Sequence, residues 1–155
     1  DAMRVARRIV DDFPGHPRIG ELPLEIGYIL KETGQYADAI AQLEKVLDEL
    51  VGNDAAEARF YIGECYQNTG RYREAIQFFY SVSFHGNDAS AGWINSADFE
   101  RAACHEELDE AATARTIYER IIQREGNNSD YAKLAQRRID QLNLTGAPPS
   151  PRGSE

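Results

Sequence analysis

Several ingredients of common chemistries are scarce in this sequence. Of its 155 residues two are cysteine, three are histidine, and one each is tryptophan and methionine. Two cysteines do not make a disulfide framework. His16, His85 and His105 share no repeated spacing with cysteines or carboxylates that would build a zinc site. His105 stands beside Cys104 and Glu106 in sequence only, since adjacent helical residues point roughly 100° apart. No phosphate-cradling glycine loop and no nucleophile elbow occurs, nor a strand to launch either. These gaps predict a protein that is not an enzyme and needs no cofactor or metal.

Long apolar runs are missing as well. None approaches the ~18 residues of a membrane-spanning helix, so no direct membrane insertion is expected. Positive charge is in short supply, with 17 Lys and Arg against 26 Asp and Glu and a formal charge of −9. A polyanion would approach against that field, which disfavours nucleic acid and acidic lipid surfaces as partners. Arg7-Arg8 and Arg137-Arg138 are the densest basic features, and neither forms a patch.

What is present is a repeat. TGQYADAIAQL at 33–43 returns as TGRYREAIQFF at 69–79, with Thr, Gly, Tyr, Ala and Ile at a constant offset of 36. Self-similarity at a period of roughly 20–50 residues signals stacked supersecondary units. Aligned on the Ala of this motif, Ala39 is followed by Leu43 and Val46, Ala75 by Phe79 and Val82, and Ala114 by Tyr118 and Ile121. A partial copy, Ala2, Ala6 and Ile9, closes with Pro14. Steps of 4 and then 3 place each set on one stripe of an amphipathic helix. A second helix is expected upstream of each full copy, carrying Leu24, Gly27, Tyr28 and Leu30 before Gly34, and Phe60, Ile62, Gly63 and Tyr66 before Gly70. A glycine inside a helix marks close approach by a neighbour; Ala102 holds that place in the third copy.

Punctuation agrees. Gly52-Asn53-Asp54-Ala55 and Gly86-Asn87-Asp88-Ala89 are identical tetrads, echoed by Gly126-Asn127-Asn128-Ser129-Asp130. A Gly ending one helix and an Asp or Ser capping the next would make these the turns between pairs. From Asp54 to Ala75 is 21 residues but from Asp88 to Ala114 is 26, so the third pair should carry five extra residues near ASAGWINSADF, around Trp93. The plan is an array over 1–144, with the second helix of a truncated repeat at 1–14, repeats at about 20–53, 54–86 and 88–126, and a capping helix at 129–143. Residues 145–155, rich in Pro, Gly and Ser, are expected to be disordered. Because the first element reads as a second helix, further repeats are expected upstream.

These residues resemble the tetratricopeptide repeat. Its pattern places a large residue, Leu-Gly and Tyr on a first helix, then a Gly-x-Tyr turn, then Ala, an aromatic or Leu, and Ala or Val on a second. The likeness covers 20–53 and 56–86, and more loosely 95–126, where Asp109-Glu110-Ala111 replaces the Gly-x-Tyr turn. It implies an all-α, right-handed superhelix of antiparallel helix pairs with a C-terminal capping helix. LDEAATARTIYERII followed by SDYAKLAQRRI further resembles the C-terminal repeats of bacterial cell-envelope proteins of this class, such as the periplasmic coordinator of the Tol–Pal system. A periplasmic or envelope setting is therefore expected over a cytoplasmic one.

The resemblance implies a non-catalytic scaffold that holds a peptide or protein partner in a concave groove lined by first helices. In the family's register the groove positions are Glu21, Leu24, Tyr28 and Lys31, then Glu57, Phe60, Glu64 and Gln67, then Ser96, Phe99, Ala103 and Glu106. Leu24, Phe60 and Phe99 would form an apolar row among carboxylates, a lining that selects a basic or amide-rich partner. Family members that clamp a terminal carboxylate use Lys, Arg and Asn at such places; the Glu, Tyr and Phe found here contradict that function. The plainer alternatives are that the phenylalanines pack between repeats and the acids are solvated. Trp93 either packs on the second helix of pair two, beside Phe78, Phe79, Tyr80 and Phe84, or projects as an anchor for a partner or a second copy. The latter would make a self-associating assembly module the alternative function. Cys65 and Cys104, 39 apart at one register position, should lie about 10 Å apart on stacked pairs. That exceeds the ~7 Å Cα limit for a disulfide, so both are expected to act as small buried hydrophobes.

Overall fold

Each stripe of apolar residues lies on a helix. The computed structural model describes residues 22–84, 89–126 and 128–144. The expected half-repeat at 1–14, Glu21, His16, His85 and the tail at 145–155 lie outside them. Seven helices and no strand occur among the described residues: α1 Leu22–Glu32, α2 Tyr36–Leu47, α3 Gly52–Asn68, α4 Tyr72–Phe84, α5 Ala91–Glu107, α6 Ala111–Glu125 and α7 Asp130–Leu144. The inward stripes are Ala39 and Leu43 on α2, Ala75, Phe79 and Val82 on α4, and Ala114, Tyr118 and Ile121 on α6. Helices pair in order, α1 with α2, α3 with α4, α5 with α6, and each pair stacks on the next. The fold is an all-α solenoid.

The turns within pairs share one geometry. Gly34 and Gly70 adopt φ of +75° and +73°. Gln35 N–H bonds back to Leu30 O at 2.9 Å and Gly34 N–H to Lys31 O at 3.0 Å, and Arg71 and Gly70 repeat this on Tyr66 and Gln67. This double closure satisfies carbonyls that a helix end leaves open. The third pair, without glycine, makes the same turn: Asp109 takes φ +58°, with Glu110 N–H on His105 O and Asp109 N–H on Glu106 O. Asp can occupy this left-handed region because its short polar side chain tolerates it.

Close approach explains the helical glycines. A Cβ on Gly27 would stand 2.3 Å from Leu43 Cδ2, and one on Gly63 2.6 Å from Phe79 Cε1. What comes close is the large side chain of the paired second helix. Ala102, fully buried, shares a cluster with Tyr118 in the third pair.

Between pairs the sequence reading needs correction. Gly52, Asn53 and Asp54 form the first turn of α3, whose N-cap is the extended Val51, with no side-chain cap. Ala89 and Ser90 instead precede α5. The two tetrads are therefore not equivalent. Since α3 and α5 are both 17 residues long, and Ala75 and Ala114 each stand 23 residues after the start of the first helix of their pair, the third pair carries no five-residue insertion around Trp93, which sits inside the first turn of α5. The tetrad does brace the stack: Asn53 Oδ1 accepts the Ser90 N–H at 2.8 Å, tying the start of α3 to the start of α5. Ser129 does cap its helix, its Oγ accepting Ala132 N–H at 3.0 Å.

Neighbouring first helices touch directly, α1 on α3 and α3 on α5, whereas the second helices make no contact of that extent with one another. The stack accordingly curves with α1, α3 and α5 on its inner side. α7 closes the far end by adding Ala135, Ile139 and Leu142 to the cluster around Tyr118 and Ile121.

Candidate functional site

On the inner side, residues at steps of three and four along α3 share one face: Glu57, Tyr61, Glu64 and Gln67. Tyr61 is the centre of a ladder of rings. Its centroid lies 5.3 Å from Tyr28 of α1 and 6.2 Å from Trp93 of α5, the latter edge-on. Phe60, also 5.5 Å from Trp93, backs the ladder from the core side. Lys31 Nζ sits 4.7 Å from the Tyr61 centroid and 5.2 Å from that of Tyr28, within cation–π range of both. Tyr28 is 43% exposed, so the ladder opens to solvent at the α1 end.

A polar ladder runs beside the rings. Three equivalent positions, Lys31, Gln67 and Glu106, each reach forward to the next element on the inner side. Lys31 Nζ meets Glu64 Oε2 at 2.7 Å, Gln67 Nε2 donates to Glu100 Oε2 at 2.9 Å, and Arg138 Nη2 of α7 donates to Glu106 Oε2 at 2.8 Å. In each case the partner is 32 or 33 residues away along the chain. Tyr61 Oη donates to Glu57 Oε1 at 2.6 Å, and Tyr118 Oη to Glu106 Oε1 at 2.7 Å.

These contacts set the ionisation of the face. Burial pushes the Tyr61 phenol well above its ordinary value, and the bond to Glu57 adds to that, so Tyr61 stays neutral and donating. Burial works against the charge on Lys31, yet its bonds to Glu64 and Glu32 more than offset this and raise its pKa. Burial likewise lifts Glu64, with Lys31 opposing the shift.

Several expected groove residues are half-buried on the inner helices and also pack against the core. Phe60 packs 5.5 Å from Phe79, Phe99 packs 5.3 Å from Tyr118, and Leu24 packs on the cluster of Leu43, Ala58 and Ile62. The open apolar row expected from them is in fact the inner margin of the core. Glu64 and Glu106 are not bare carboxylates but rungs of the polar ladder. Ser96 meets the hydroxyl of Tyr131 of α7 at 2.6 Å. Trp93 does not project. It is half-buried against the cluster that holds Phe79 and Val82 of α4, as the packed alternative expects, and its nearest rings are Phe60 and Tyr61 of α3. Tyr61, Glu100 and Arg138 were missed, because the register pointed to the positions beside Tyr61 and Glu100 and gave α7 only a capping role. Cys65 and Cys104 are both free and fully buried.

Among the described residues no group of His, Cys, Asp and Glu is placed to hold a metal ion, and no helix is long and apolar enough to cross a membrane.

Comparison with known proteins gives two family matches, both described as Tetratricopeptide repeat, over residues 24–89 and 96–128. No curated protein matches the chain. Among solved structures, a kinesin-light-chain-type protein of Podosopora anserina with nearly identical TPR-like repeats superposes with a TM-score of 0.74 at 15% identity, covering 94% of this chain and 78% of that one. A variant of the same protein gives a TM-score of 0.74 at 15% identity, with coverage of 94% and 77%. At such identity the likeness speaks to fold.

Proposed function

Since the chain belongs to the tetratricopeptide repeat family, whose repeats mediate protein–protein interaction, we propose that it holds an extended peptide of a protein partner along the inner face, on the Tyr28–Tyr61–Trp93 ladder. One observation carries this reading: three rings from three successive first helices line up on the side where those helices approach. Aromatic rings give large contact area at little entropic cost, which makes them anchors of peptide recognition. Glu57 and Glu100, with the net charge of −9, favour a basic peptide. Glu64 and Glu106 serve the scaffold in this reading, holding its curvature through Lys31 and Arg138.

Trp93 is the only tryptophan and reports on the site directly. Peptides selected from a random displayed library should be rich in Lys or Arg beside apolar residues and should change Trp93 emission on binding. Tyr61→Phe tests the hydroxyl alone, and Tyr61→Ala should weaken those peptides about tenfold or more. Acidic selectants, or selectants indifferent to Tyr61→Ala in a folded variant, would overturn the reading.

The cell-envelope setting suggested by the C-terminal motif belongs to the same proposal, and a secretory leader on the parent protein is its check. Self-association is the second reading. The 87% exposed Leu144 and 43% exposed Leu134 of α7 favour it, in place of Trp93. A single sedimenting species of monomer mass at high concentration removes it.

A further inference from the structure

The outer side of the stack carries a cleft of different character. A cavity of about 490 Å³ opens between α4 and α6, with α5 at its base. Ile76 and Tyr80 of α4 form one wall, Ile117 and Arg120 of α6 the other, and Arg101 and His105 come from α5. In a chain of net charge −9, this lining contains no carboxylate.

The balance of charge beneath it is uneven. Arg120 and Arg124 both bear on Arg101, whose carboxylate partner is Asp98, while His105 of the lining is met by Glu110 at 2.6 Å. Both Asp98 oxygens are already taken. Oδ1 accepts Ser83 Oγ at 2.8 Å and meets Arg101 Nη2 at 3.0 Å, while Oδ2 accepts Arg124 Nη2 at 3.0 Å. Arg101 is 7% exposed, yet its Nε has no hydrogen-bond partner among the described residues. A buried donor left unbonded is uncommon and costs about 1–3 kcal/mol. Burial, reinforced by Arg120 and Arg124 and opposed by Asp98, holds the Arg101 pKa below the usual arginine range. Arg120 is exposed and makes no ion pair among the described residues. Beyond the cavity the wall continues outward as the stacked rings of Tyr80 and Phe84, 5.7 Å between centroids and 49% and 65% exposed.

We propose that this cleft binds an acidic peptide, its side-chain carboxylate meeting Arg101 and Arg120 and its flanking apolar side chains lying on Ile76, Tyr80 and Ile117. A carboxylate accepts from two guanidiniums and supplies the acceptor that Arg101 Nε lacks. The cavity's size suits one side chain and its neighbours. The ring pair extending past it gives the rest of a chain somewhere to lie, which a free small acid would not use. This site is separate from the inner face and prefers the opposite charge, so the two can be tested independently.

The probe is the tripeptide acetyl-Leu-Glu-Leu-amide, titrated into the isotope-labelled chain and followed by amide NMR shifts. Saturable shifts at Ile76, Tyr80, Thr113 and Ile117 are expected. The Gln counterpart of the peptide should bind about tenfold more weakly or less, because a charged acceptor is lost. Arg120→Gln, at an exposed position that leaves the core intact, should weaken the Glu peptide severalfold, whereas Tyr61→Ala should not change it. Arg101→Lys keeps the charge partner of Asp98 but removes Nε, and should weaken binding further. Equal binding of the Glu and Gln peptides, or indifference to Arg120→Gln and Arg101→Lys, overturns the proposal. So does saturable binding of 3-phenylpropanoate in the cleft where the tripeptide does not bind, which would assign the site to a free acid.

Discussion

Two glycine-sized decisions control much of the local structure, and they have opposite signs. At position 63 a Cβ would meet the ring of Phe79, which is 0% exposed and cannot retreat. Gly63→Ala should therefore lose about 1–3 kcal/mol to overpacking, against a helix-propensity gain of about 1 kcal/mol. Adding Phe79→Leu should recover part of the loss in a urea melt, and no recovery would mean the clash is not the cause. At position 109 the argument reverses. Asp109 holds φ +58° where the first two pairs use glycine. Asp109→Gly should raise the melting temperature by a few degrees, corresponding to roughly 0.5–1 kcal/mol.

The buried thiols give the residue scale a pH signature. Burial pushes Cys65 up to about 11 and Cys104 up to about 12. Both values exceed the ~8.5 of an unfolded thiol, so the folded state holds these protons more tightly. Their contribution is complete below about pH 8.5 and is lost as pH rises through the folded values, at no more than about 1.4 kcal/mol per pH unit for each thiol. Stability measured by denaturant should decline above pH 9, and less steeply in Cys65→Ala/Cys104→Ala. Thiol reagents should label neither residue before unfolding.

At the scale of elements, Glu106 shows what a sequence reveals and what it hides. Its place on the inner stripe of a first helix was legible from the period, as were the helices, the glycine contacts and the fold class. Its partners were not. Arg138 is 32 residues away on a helix read only as a lid, and nothing local to either residue announces the bond. The same holds for Lys31 with Glu64. Charge is written in the sequence, but the neutralising partner is set by how the pairs stack. Tyr61 escaped for a related reason, since its importance comes from Tyr28 and Trp93 on other helices. The turn at Asp109 was obscured because the expected residue was missing while the backbone geometry was kept. Glu106→Ala removes the acceptor of the Tyr118 hydroxyl and the ion pair of Arg138, which keeps only Gln141 as an acceptor. It should cost about 1–3 kcal/mol and speed amide exchange in α7 before other helices. Unchanged exchange in α7 would show that Ile139 and Leu142 alone hold it.

Across the whole molecule, stability should be distributed as in a one-dimensional stack, because each helix touches only near neighbours in the order. α3 lies between α1 and α5 and also packs on α2 and α4, whereas α7 is held chiefly by α6. Truncation after Asn128 tests this. It removes Ile139 and Leu142 from the cluster that covers Tyr118 and Ile121, a loss of roughly 3–6 kcal/mol at about 1.5–3 kcal/mol per buried aliphatic side chain. In a stack the damage stays near the cut: α5 and α6 should lose amide protection and bind a hydrophobic dye, while α3 and α4 keep most of theirs. Nearest-neighbour coupling also means that Tyr28 and Tyr61, on α1 and α3, should keep their places in the truncated chain, so that peptide binding weakens only by the share of Trp93 on α5. Uniform loss of protection from α1 to α6 would instead mean that the array folds as one cooperative unit, and that its inner face exists only when every pair is in place.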